Sequence, residues 1–128
     1  MDHKEHYTAA IEDYIRAYNN FDVEGMCRNL SKAIVFENIS GGEVGMYIEG
    51  IENFKQQADE ATAYFSDRHQ NIESWSFNNN TVTVEISYEG TLAIGLPNGM
   101  KKGDVLTLKG TSEFTFEDDK IVLLKDIS

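Results

Sequence analysis

TVTVEISYEGTLAIGLPNGMKKGDVLTLKGTSEFTFEDDKIVLLKDIS, residues 81–128, alternates apolar and polar side chains over most of its length. Val82, Val84, Ile86 and Tyr88 fall on one side, Thr83, Glu85, Ser87 and Glu89 on the other. Leu106, Leu108, Gly110, Ser112, Phe114 and Phe116 oppose Thr107, Lys109, Thr111, Glu113 and Thr115 in the same way. A period of two with one apolar face predicts an antiparallel sheet covered on one side only. Glu117-Asp118-Asp119 reads as a tight turn, because Asp tolerates the left-handed backbone that hairpins need. LPNGMKKG, residues 96–103, reads as a longer hairpin loop and holds the only proline, Pro97. Strands are expected at about 80–94, 104–117 and 120–127, with one more at about 68–77 joined through Asn78-Asn79-Asn80.

Upstream of Asp67 the period changes. Tyr7, Ile11, Tyr14, Ile15 and Tyr18 form the stripe of an amphipathic helix that weakens at Asn19-Asn20. Asp22 can cap a second, short helix with Met26, Cys27 and Leu30 on one side. AIVFENISGG, residues 33–42, reads as a strand from Ala33 to about Ile39, ended by Ser40-Gly41-Gly42. Residues 43–50 carry no clear period, although Met46, Tyr47 and Ile48 suit a short extended piece. From Gly50 a third helix shows Ile51, Phe54, Ala58, Ala61 and Phe65 at helical spacing. Helices first and a meander last is the order of an α+β fold. With 128 residues the chain suits a single domain, residues 1–128, able to bury roughly two thirds of its unfolded surface.

The formal net charge of −11 repels phosphate backbones and anionic lipid surfaces, so neither nucleic acid nor membrane is an expected partner. Cys27 is the only cysteine, which excludes an internal disulfide and fits a reducing compartment. MDHKEHYTAA has no apolar stretch of the signal-peptide kind, and a cytoplasmic location is the expectation. No nucleophile motif, phosphate-binding glycine loop or metal cluster stands out, and no cofactor is expected. His3 and His6 share a spacing of three with no third ligand nearby, in a stretch expected to fray.

DYIRAYNNFDVEGM, IVFEN followed by YIEGIENFKQQ, and the tail from LPNGMKKG to the end together resemble the nuclear transport factor two-like superfamily, SnoaL-like branch, named for polyketide cyclases. The resemblance spans nearly the whole chain. It implies a cystatin-like cone, in which a curved antiparallel sheet wraps the N-terminal helices and leaves an apolar cavity open at one end. It also implies a homodimer formed through the outer sheet face, where Thr83, Thr107, Thr111 and Thr115 lie. The superfamily holds isomerases, dehydratases, cyclases, transport adaptors and proteins of unknown role, so the fold does not settle the function.

By that resemblance Tyr14 falls where steroid isomerases keep their oxyanion tyrosine, but their base position falls on Asn38 and their second acid on Ser112. Neither supplies a carboxyl, so that route is excluded. Parity puts Ile34, Phe36 and Asn38 on one face and Val35, Glu37 and Ile39 on the other. Both faces are mixed, and the resemblance turns Asn38 inward and Glu37 outward.

Val122, Leu124 and Asp126 share the face that the resemblance turns to the cavity, opposite Ile121, Leu123 and Lys125. A carboxylate among Tyr14, Phe114 and Phe116 would titrate high, as a general acid–base needs. His69 could serve as acid or base near a cavity mouth, and Arg68 beside it could bind a carboxylate or pair with acidic neighbours. Tyr18, Phe36, Phe54, Trp75, Tyr88, Ser112 and Phe114 are candidate ligand contacts, although aromatic stripes are also plain core. Two functions stay open. One is an enzyme of the polyketide cyclase or isomerase type, transferring protons on a small apolar carbonyl compound, with Asp126, Tyr14, Asn38 and His69 as its catalytic set. The other is a non-catalytic module for a small hydrophobic ligand or a protein partner.

Overall fold

The computed structural model describes residues 3–128. Helix α1 spans His3–Asn19 and buries Ile11, Tyr14 and Ile15 of the predicted stripe together with Ala10 and Ala17, while Tyr7 and Tyr18 are half-buried against the core. It begins one turn before Tyr7, because the side chains there have partners. His3 stacks on Tyr7 at 5.9 Å, and His6 Nε2 lies 3.1 Å from the carbonyl oxygen of Asp119. The two histidines are thus packing residues of a helix, not part of a frayed end.

Helix α2, Val23–Cys27, starts at Asp22, whose carboxylate accepts from the Gly25 amide at 3.0 Å. That satisfies one of the amides a helix start leaves unpaired. Helix α3, Ile51–Ala61, buries Phe54 and Ala58. It ends four residues before Phe65, which opens a strand after the 3₁₀ turn Thr62–Tyr64.

Six strands follow the order β2-β1-β6-β5-β4-β3: β1 Leu30–Ser40, β2 Glu43–Glu49, β3 Phe65–Asn78, β4 Thr81–Leu92, β5 Val105–Glu117 and β6 Lys120–Ile127. The segment with no clear period is β2, an edge strand paired antiparallel to β1. The sheet is open and mixed, since β1 and β6 pair in parallel. The expected wholly antiparallel sheet is corrected there: the two strands come from opposite ends of the chain, and no local turn pattern announces their pairing. The hairpin turns stand where Asn and Asp predicted them, with positive φ at Asn79, Asp118 and Asp119.

One face of the sheet meets α1, α2 and α3 in a single core. Phe114, Phe116, Val82, Val84, Ile34, Ile121 and Leu124 are almost fully buried in it. Each large apolar side chain removed from water there contributes about 1.5–3 kcal/mol. Ile121 was expected on the outer face with Leu123. A register shift between Thr115 and Phe116 gives β6 one extra residue, so Ile121 and Leu124 both turn inward.

Candidate functional site

On the inner face, one row of residues breaks the apolar pattern. Asn38 pairs with Asp126 across β1 and β6, and Asp126 pairs with Ser112 across β6 and β5. Three small polar side chains from distant parts of the chain therefore stand side by side. Ser112 is buried and donates its hydroxyl to Asp126 Oδ1 at 2.7 Å. Burial pushes the Asp126 carboxyl above its ordinary range, and the Ser112 hydrogen bond partly opposes this. Asn38 is the most open of the three, and Glu37 points to the other face.

Two pockets meet at this row. The larger, about 290 Å³, is lined by Tyr18, Phe65, Gln70, Ile86, Tyr88 and Leu106 together with Asn38, Ser112 and Asp126. The smaller, about 210 Å³, is lined by Tyr14, Tyr18, Met26, Phe36, Phe54 and Ile48 together with Asn38 and Asp126. Tyr18, Asn38 and Asp126 belong to both. The walls are mainly apolar and aromatic, with Phe36 edge-on to Phe54 at 5.8 Å and Phe65 edge-on to Tyr88 at 5.9 Å. This is the usual character of a small-molecule site: apolar walls with a few convergent polar groups.

Tyr14 comes to the smaller pocket from the middle of α1, and its ring meets Phe114 edge-on at 5.8 Å. Burial first, and then the Asp126 charge, keep its phenol protonated far above its ordinary range. Tyr18 donates its hydroxyl to the Tyr88 hydroxyl at 3.1 Å. Burial and the Tyr18 contact raise the Tyr88 phenol as well. Among the described residues, none hydrogen-bonds the Tyr14 hydroxyl, the Asn38 amide or Asp126 Oδ2. The smaller pocket therefore offers two donors and one titratable oxygen that no described residue hydrogen-bonds.

The other predicted residues lie apart. His69 is exposed on β3 and borders a polar groove between α1 and β3, with Asp126 absent from it. Trp75 borders the same groove and stacks on Phe77 at 6.0 Å. Phe114 is core and lines neither pocket.

Gln70 escaped the sequence reading, and so did the burial of Arg68. Gln70 lines the larger pocket, and its backbone amide donates to Asn19 Oδ1 at 2.7 Å. Arg68, read as binding a carboxylate or pairing with acidic neighbours, is 2 % exposed, borders the polar groove beside His69, and has no carboxylate partner among the described residues. The signal for both was parity: Arg68, Gln70 and Ile72 alternate with exposed Asp67, His69 and Asn71.

No helix among the described residues is long and apolar enough to cross a membrane. A family model described as the SnoaL-like domain matches residues 11–124. No curated protein matches. Among solved structures, the chain is similar to a candidate polyketide cyclase from Xanthomonas campestris pv. campestris, with 17 % identity and a TM-score of 0.80, covering 99 % of this chain and 93 % of that one. A nuclear transport factor two-like protein of unknown function from Burkholderia pseudomallei gives 15 % identity and a TM-score of 0.76, covering 94 % and 88 %. An epoxide hydrolase of the LEH-like kind from M. tuberculosis gives 17 % identity and a TM-score of 0.73, covering 93 % and 79 %. At these identities the likeness is one of fold.

Proposed function

The chain belongs to the SnoaL-like domain family, and from that membership we propose that it is a cofactor-free enzyme of the polyketide cyclase or isomerase type, moving a proton on a small apolar carbonyl compound. The observation that carries the reading is Asp126: a carboxyl with a raised pKa, one protein hydrogen bond and a place in both pockets. In its ionised form Asp126 takes a proton from the carbon beside the carbonyl. Negative charge then gathers on the carbonyl oxygen, where the Tyr14 hydroxyl and the Asn38 amide donate hydrogen bonds. Such a donor is worth about 10²–10³ in rate. Return of the proton from Asp126 to another carbon completes an isomerisation; alternatively the carbanion attacks a second carbonyl carbon of the same molecule, its C=O π bond opens to an alkoxide, and Asp126 returns the proton to that oxygen as the ring closes.

The test is Asp126→Asn, read by binding of a small aromatic ketone and by deuterium exchange at the carbon beside its carbonyl. The wild type is expected to exchange and the variant to bind without exchanging. Binding without exchange in both forms would leave a ligand-binding module instead. A homodimer through the outer sheet face belongs to the same proposal. Thr83, Thr111, Thr115 and Leu123 there are half-buried within one chain and suit a sheet–sheet contact. Light scattering at micromolar concentration is expected to give twice the 14.5 kDa chain mass, and a clean monomer contradicts it.

A further inference from the structure

The chain has three arginines. Arg16 and Arg28 are exposed, and each lies against Asp13, at 3.3 and 3.1 Å. Arg68 is different. It is 2 % exposed, its Nε donates to the Tyr18 carbonyl at 2.9 Å, and its Nη2 is buried with no hydrogen-bond partner. Its guanidinium carbon stands 3.8 Å from the centre of the Tyr18 ring and 4.5 Å from that of Phe21. Two aromatic faces and one carbonyl oxygen hold the cation in place. They do not neutralise it, and a buried charge without a counter-charge is costly.

Arg68 itself borders the polar groove between α1 and β3, and Tyr18, whose ring its guanidinium covers, lines both apolar pockets. Its hydroxyl is spent on Tyr88, which leaves the Tyr88 proton free to donate into the larger pocket. The Tyr18–Tyr88 end of the site thus combines a fixed positive field with a free donor, while Asp126 occupies the opposite polar row. We propose that the ligand is an anion, an apolar body bearing a carboxylate, with its charge set at the Tyr18–Tyr88 end under the field of Arg68 and its carbonyl at Asp126. Arg68 acts here as a specificity-determining residue and not as a catalytic one. The proposal rests on the small-molecule reading of the pockets given above.

A matched pair of probes tests it: 1-naphthoate and 1-naphthamide, titrated calorimetrically at neutral pH into the full chain. The wild type is expected to bind the carboxylate about tenfold more tightly than the amide, since one charge acting through a partly buried medium is worth at least that. Arg68→Met is expected to abolish the preference, with the two probes binding equally, and Arg68→Lys to keep part of it. Lys109, an exposed cation at the rim of the larger pocket 4.0 Å from Glu73, is the control. Lys109→Met is expected to keep the preference, and a preference that follows Lys109 instead overturns the assignment. Equal binding of both probes to the wild type overturns the anion proposal alone. Binding of neither probe removes the small-molecule reading and the proposal with it. If Arg68→Met does not fold, the wild-type preference, its persistence in Lys109→Met and its size in Arg68→Lys still decide.

Discussion

The row Ile48–Phe36–Leu124–Phe114–Val82–Phe77 and the row Met46–Asn38–Asp126–Ser112–Val84–Trp75 lie next to each other on the inner face, two residues apart on every strand. They share strands, register and the helices above them. The first is apolar throughout and forms the floor of the core. The second replaces three apolar side chains with an amide, a carboxyl and a hydroxyl, and there the packing opens into two pockets. A single pleat step separates the part of the sheet that holds the protein together from the part that can act on something else. Phe36 and Ile48 at one end of the first row also line the smaller pocket, so the division is sharpest between Leu124, Phe114 and Val82 on one side and Asp126 and Ser112 on the other, where substitutions should behave differently.

Phe114→Ala is the largest break. Phe114 is 1 % exposed and packs against Tyr14, and its loss is expected to cost about 3–5 kcal/mol in urea denaturation. A cost under about 1 kcal/mol would mean that the apolar row is not the structural one.

Asp126→Asn is the opposite case. The folded protein holds Asp126 above its ordinary range. Between that range and the raised value the folded chain keeps a proton that the unfolded chain has released, so stability falls as pH rises through this window. The Asn variant lacks this fall. It is expected to match the wild type below the ordinary carboxyl range and to be at least as stable at pH 7. Denaturation curves across acid to neutral pH check it, and a variant less stable at pH 7 than in acid relative to wild type would contradict it.

How much of this was legible in the chain follows from what each residue depends on. The alternation in residues 81–92 and 110–117 and the turns at Asn79 and Asp118-Asp119 are local, and they stand as read, whereas Leu108, predicted on the apolar face, is exposed. The inward turn of Asn38 followed from the resemblance, because Ile34–Ile39 is mixed on both faces. The parallel pairing of β1 with β6, which puts Asn38 beside Asp126, joins residues far apart in the chain and leaves no local mark. Bulges defeated strict alternation at Ile121. The burial of Arg68 beside exposed His69 was not read: a strand buries every second side chain whatever its charge, and Arg68 fell on the inward beat.

The most direct measurement is the carboxyl carbon titration of Asp126 by NMR, in the wild type and in Ser112→Ala. The account predicts a wild-type midpoint above the ordinary carboxyl range and a higher one still in Ser112→Ala, because the hydroxyl that favours the ionised form is gone. A wild-type Asp126 that titrates like a solvated carboxyl, unmoved by Ser112→Ala, would mean that the polar row holds no group tuned for proton transfer.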